Sequence, residues 1–305
     1  MLPLAVLMAA VSCTTTAVGP ARTPGPSHTR ATRVGLAYFL PSYIPKGMRV
    51  LNADILRDQS DPASFAAVMG RRSGSKGFAG LISVSIHEAS RDREVAPEER
   101  RQLRLVRIRG GVMARIGTSP LGVELDWFQN DLAIAVAGPP GSKDLLLVVA
   151  RGLRVPSSKG VDRIAVSAIP RGYEMIAKRA VPGFHAEGYV LNFTGDAGKS
   201  LVINVTIVPV HTFVPSLLVA GGSRMLLRTI RGSDAAVGIN RSELSLSGGR
   251  HVSVTSSSLA WLEHPDLLIF IFGAGLTQGE VVRVAEGLQE TTEKRWRAQM
   301  HPPAG

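Results

Sequence analysis

The second half of this chain repeats its first, and that constrains the fold more than any other feature. The run from Trp127 through Asp131-Leu132 to Gly138 is echoed by Trp261 through Asp266-Leu267 to Gly273, with one extra residue in the turn. The two glycines lie 135 residues apart, and at that offset Ala150-Arg151-Gly152-Leu153 falls on Ala285-Glu286-Gly287-Leu288. Upstream, Ile44-Pro45-Lys46-Gly47 matches Ile169-Pro170-Arg171-Gly172, and Ile108-Arg109-Gly110 matches Ile230-Arg231-Gly232. Four landmarks in one order, with spacings that drift only by loop lengths, mark a tandem repeat. The copies are expected over residues 34–160 and 161–290.

Each copy reads as strands followed by one helix. Leu132, Ile134 and Val136 alternate as one face of a strand, as do Leu267, Ile269 and Ile271. Leu268, Phe270 and Phe272 are apolar too, so the second strand is expected to be covered on both faces. Further strands are expected over Leu81–Ile86 and Leu201–Val208. After each glycine comes a helix. Thr277 with Glu280 forms a capping box, and Val281, Val284, Ala285 and Leu288 form an apolar stripe. Ser142 is the matching N-cap, with Leu146, Val149, Ala150 and Leu153 as the stripe. The pattern predicts an α+β fold, each copy an antiparallel sheet with its terminal helix on one face.

An aromatic strand start, a turn, a strand ending at Gly and a capped helix closing on Ala-x-x-Leu resemble a module of exported Gram-positive proteins. That module belongs to the sporulation- and sigma-regulator-associated domains of unknown function. It is also similar to the C-terminal part of MucB/RseB-type envelope sensors, and the Ile-Pro-x-Gly opening fits. The resemblance implies an extracytoplasmic binding module and carries no catalytic residues.

Leu2 to Val11 is apolar, and Ala9-Ala10-Val11-Ser12 leads into Cys13, the only cysteine of the 305 residues. This resembles a bacterial lipoprotein signal, which implies cleavage of residues 1–12 and acylation of Cys13, placing the protein on the outer face of the cell membrane. An ordinary secretory signal or a small buried cysteine are the alternatives. Residues 13–33, rich in Thr, Pro, Gly and Ser, read as a flexible tether. A lone cysteine also excludes a disulfide framework and a multi-thiolate zinc site.

Chemistry-bearing motifs are sparse. Gly195-Asp196-Ala197-Gly198-Lys199-Ser200 ends like a phosphate-binding loop, but Phe193 stands where the first Gly is required and Ser200 opens a strand. Ser73 and Lys76 have S-x-x-K spacing inside a Gly-rich basic loop, without the companion motifs of that chemistry. No two of the seven His sit at i, i+3 or i+4. No catalytic residue, metal or cofactor is therefore assigned. The net charge of +11 is the remaining lead. Arg100, Arg104 and Arg107 follow Pro97-Glu98-Glu99 and would share a face if a helix runs that far. Lys294, Arg295 and Arg297 cluster in what is expected to be a basic tail, residues 291–305. Both clusters are candidate contacts to an envelope protein, anionic lipid or wall polymer, or else solvated faces. Nucleic acid is not an expected partner, because no recognition motif accompanies the charge. The expected function is a membrane-anchored binding or sensing lipoprotein. A wall hydrolase with a site assembled from distant residues, or a structural envelope component, are the alternatives.

Overall fold

A computed structural model describes residues 36–88, 104–119, 122–156, 160–209, 213–219, 223–245 and 251–300. The chain opens with strands β1 (Tyr38–Pro41), β2 (Arg49–Asp61), β3 (Ser64–Arg72) and β4 (Gly77–Glu88). Strands β5 (Arg104–Arg109), β6 (Val112–Ser119), β7 (Gly122–Gln129) and β8 (Leu132–Gly138) lead into helix α1 (Lys143–Gly152). Next come β9 (Leu153–Arg154), β10 (Ala165–Val166), β11 (Glu174–Val181), β12 (Phe184–Thr194), a 3-10 turn and β13 (Ser200–Ile207). The short helix α2 (Pro215–Leu218) precedes β14 (Arg224–Ile230), β15 (Ser233–Ser245), β16 (His251–His264) and β17 (Leu267–Ala274). Helix α3 (Gln278–Glu286), β18 (Leu288–Thr291) and helix α4 (Glu293–Met300) complete the described chain. The protein is mostly β, a large antiparallel sheet with short helices packed on it, and is α+β.

Within the large sheet, one wing runs β11-β3-β4-β8-β7-β6-β5 and the other β2-β12-β13-β17-β16-β15-β14. The wings join where β14 pairs with the start of β4. Hairpin sequences set the local geometry. Asn130 and Asp131 both take positive φ between β7 and β8, as do Gly110 and Gly111 between β5 and β6, and Arg231 and Gly232 between β14 and β15. Such pairs are the primed turns whose twist matches that of the strands. The Gly110-Gly111 turn also explains why the helix expected through Arg104 and Arg107 does not form there. Leu105, Val106 and Ile108 lead into a two-residue hairpin, and residues 104–109 are strand β5.

Each wing carries a strand–Gly–helix unit. The side chains of Leu146, Val149 and Ala150 on α1, and of Val281, Val284 and Ala285 on α3, are buried as the stripes predict. A Cβ on Gly138 would meet Leu146 Cδ2 at 2.9 Å, and one on Gly273 would meet Val281 Cγ2 at 2.9 Å. A side chain at either glycine would therefore push against the helix that packs there. Thr277 and Glu280 form the expected capping box on α3. Ser142 stands at the N-cap of α1, but its hydroxyl donates to Pro139 O at 2.6 Å and accepts nothing from the helix.

The arms that open each half cross over. Strand β1 pairs with β18, and β2 with β12, so residues 36–61 join the core that holds Tyr189, Trp261 and Trp296. Reciprocally, β10 pairs with β9 and β11 with β3, and Val161 and Ile164 join the core that holds Ile82, Trp127 and Leu146. The docking contact is the same on both sides. Ser42 N and Oγ donate to Gly287 O at 2.8 and 2.7 Å, and Ser167 N and Oγ donate to Gly152 O at 3.0 and 2.6 Å. A cut near residue 160 therefore separates each core from two of its own strands. A third apolar cluster, including Val68, Phe78 and Leu81 with Val219, Met225 and Ala236, joins the wings.

Candidate functional site

An opening at the junction is made by a strand that loses its neighbour halfway along. On one edge β14 pairs with β15 throughout. On the other, only Arg224–Leu226 pair with β4, opposite Gly77–Ala79, extended by Leu227 N donating to Lys76 O at 2.9 Å. The β4 chain then folds back, with Ser73 N donating to Gly77 O at 2.8 Å. Beyond Leu227 that edge of β14 has no strand partner among the described residues. The space left is a groove of ≈ 530 Å³ lined by Lys76, Leu226 to Ile230 and Glu286. Ile230 is buried in the core while Leu227 is 38% exposed. The groove thus combines main-chain donors and acceptors, apolar side chains, two cations and one carboxylate. It can hold an extended or amphiphilic ligand.

A smaller notch of ≈ 250 Å³ is lined by Gly47, Arg49, Thr194, Gly195 and Asp196. It lies at the glycine turn that ends like a phosphate loop. Here Gly195 N donates to Lys199 O at 2.9 Å and the chain runs on into β13, not into a helix. The helix N-terminus that would attract phosphate is missing at that turn.

Beside the groove, Arg231 ties several elements together. Its guanidinium forks onto Glu263 at 2.8 to 3.1 Å and donates to Leu288 O, while Trp261 Nε1 donates to Glu263 at 2.7 Å. Burial alone would raise the Glu263 pKa, but the Arg231 and Trp261 hydrogen bonds and the Arg231 charge outweigh it and hold the group below its ordinary value. In the same core, Tyr189 Oη accepts from Phe39 N at 2.7 Å, and burial pushes the phenol up. The Tyr189 ring stacks on Tyr38 at 5.5 Å and packs against Trp296 at 4.9 Å. These contacts fix the arm; they do not form an open site.

On the outward face of the first wing, Glu124 and Asp126 sit two apart on β7. Desolvation, then the Asp126 charge, raises Glu124; desolvation raises Asp126 against the opposing pull of Arg115. Neither carboxylate lines either opening.

The residues singled out by charge are not brought together. Cys13 and Arg100 lie outside the described residues. Arg104 and Arg107, on strand β5, are three apart and so point to opposite faces of the sheet, not along one helical face. Lys294, Arg295 and Arg297 belong to helix α4, which is docked through buried Trp296 and Met300, so residues 293–300 are not a free tail. Arg297 pairs with Glu293 at 2.6 Å, while Lys294 and Arg295 are exposed. Leu226 to Thr229 carry no motif, Ile230 and Glu286 sit in repeated landmarks that report the fold and not a ligand, and Lys76 lies in a Gly-rich basic loop. Among the described residues there is no group of three or more His, Cys, Asp or Glu placed to hold a metal, and no helix long and apolar enough to cross a membrane.

No family model matches the chain, and no curated protein matches it. Among solved structures, the chain is similar to the immunity protein TplEi of the T6SS from Pseudomonas aeruginosa, complexed with "L" peptide. The identity is 10% and the TM-score 0.26, covering 80% of this chain and 98% of that one. It is also similar to MucB in complex with MucA(peri), at 12% identity and a TM-score of 0.16, covering 75% and 94% of the two chains. At these TM-scores neither likeness bears on fold or function.

Proposed function

We propose that this protein is a binding module of the cell envelope, two copies of one α+β unit whose opening arms are exchanged. Cys13 is the acylated anchor that holds it on the outer face of the membrane, as expected of the Gram-positive exported lipoproteins it resembles, and residues 14–33 are its tether. The ligand is an envelope protein segment or an amphiphile, bound in the groove beside β14 and not chemically transformed there. One observation supports this reading above others: an unpaired length of β14 borders a groove that is part apolar and part basic.

A photo-crosslinking side chain in place of Leu227, which is exposed, tests it in membranes that retain the acylated chain. It should yield a discrete adduct that a crosslinker at exposed Ile169 does not. The Cys13→Ser chain should leave the membrane fraction, because stable anchoring takes more than one acyl chain. Equal labelling from both positions would remove the groove from consideration.

A further inference from the structure

Strand β5 and strand β14 hold the same place in the two wings, each hairpinned to its next strand and each ending its wing. In β14 the outer edge is already used to accept a strand, through Arg224–Leu226 against Gly77–Ala79. In β5 that edge has no strand beside it among the described residues. Only its far end is capped, where Arg151 Nε donates to Ile108 O at 3.3 Å. The open stretch is Arg104 to Arg107.

Two further features mark this edge. Leu105 is 61% exposed and lies on the same outward face as Met113 on β6 and Phe128 on β7, which are 44% and 47% exposed. Exposed large apolar side chains that cluster on one face are a sign of contact with another molecule. Arg104, Arg107 and Arg109 are exposed, and none has a carboxylate within ion-pair distance among the described residues. Three cations on an edge repel a second copy of the same edge, which is how natural sheets block self-pairing. The same cations attract an acidic strand, and backbone bonds then supply affinity.

We propose that the β5 edge is a second binding site, which adds an extended acidic segment of a partner protein as an extra strand, with carboxylates opposite Arg104 and Arg107 and an apolar residue against Leu105. The site is independent of the groove at β14, so the failure of one leaves the other standing.

The test uses the full chain and three synthetic ten-residue probes. One repeats glutamate-valine-threonine, so that its glutamates fall three apart as Arg104 and Arg107 do; one carries lysine for glutamate; one keeps the glutamates but has proline in place of each valine. In the free protein, outward amides of residues 104–107 should exchange fast, and the first probe should slow them. The lysine and proline probes should not. Arg104→Glu with Arg107→Glu, both exposed, should weaken the first probe roughly tenfold, with the unfolding midpoint unchanged as the check on folding. Four outcomes would overturn the proposal: amides of 104–107 protected in the free chain, equal binding of the proline probe, self-association lost in the same double variant, or vesicles of anionic lipid competing through the same arginines.

Discussion

The two wings share a strand order and differ in how tightly they are closed. Trp261 and Trp127 occupy matching positions, each opposite an Ile of the following strand. Trp261 donates to Glu263 at 2.7 Å, and Glu263 in turn holds Arg231 and, through it, the Leu288 carbonyl. Trp127 donates to Gln129 at 3.4 Å, a long bond to a neutral side chain, and Arg109, the match of Arg231, has no ion-pair partner among the described residues. The outward faces differ in the same sense. In the second wing, α2 and its flanking residues pack over Ala236 and Ala260, whereas the first wing leaves Leu105, Met113 and Phe128 in water. The second wing is thus tied by charged hydrogen bonds and covered on its outer face, where the first has a long neutral bond and exposed apolar side chains.

Removing Arg231 and Arg109 should give the largest contrast between the wings. Arg231→Ala should cost about 2 kcal/mol, because Glu263 and the Leu288 carbonyl lose a shared donor; the pair is partly exposed, which keeps the figure below that of a fully buried ion pair. Arg109→Ala should stay within about 0.5 kcal/mol. Urea unfolding of both variants is the check, and equal losses would mean that the wings are held alike.

The helix caps give a smaller contrast. Thr277→Ala should cost about 1 kcal/mol, since it removes the hydroxyl that accepts from Glu280 N and donates to Glu280 Oε2. Ser142→Ala should cost about 0.5 kcal/mol, because its hydroxyl serves Pro139 O and no helical N–H depends on it. Thermal midpoints of the two variants, compared with the parent, would reverse in order if Ser142 were a working cap.

Acidification should move the wings in opposite directions, by the smallest amounts. Glu263 ionises below its ordinary 4.5, so its stabilising contribution is complete above 4.5 and is lost as pH falls through the folded value. Glu124 and Asp126 ionise above their ordinary 4.5 and 3.8, so their ionisation weakens the fold at neutral pH. That penalty disappears as pH falls through the raised values toward the ordinary ones. Hydrogen exchange, corrected for intrinsic rates, should show β7 gaining protection relative to β16 on going from neutral pH to below 4.5. A relative gain in β16 would contradict the assignment.

Much of the local structure was legible in the residues. The Asp-Leu turns, the glycines at 138 and 273, the capping box at Thr277 and the helical stripes all report short-range geometry that a few side chains decide. Strand partners were not legible, because alternation tells which face of β2 or β11 is buried and says nothing of which neighbour it finds. The arms could equally well have paired at home. In strand β5 the arginines recur at helical spacing, and the signal that decides against a helix there is the Gly110-Gly111 turn. The groove had no signature at all, since it arises where β4 stops accompanying β14, a relation between distant segments and not a motif.

The crossed arms give the first described strand a partner almost at the end of the described chain. Tyr38 to Pro41 find their strand partner at Leu288–Thr291, so the ribbon that carries Phe39 and Leu40 into the core forms across almost the whole described chain. Closing so long a loop costs entropy that no local contact offsets, and it delays the final step. Once closed, the arm is a latch: β2 borders the sheet, and β1 belongs to a two-stranded ribbon. Traction at the N-terminus would therefore peel the arm off, one pair after another, and bare the core around Trp296 while the first wing stayed folded.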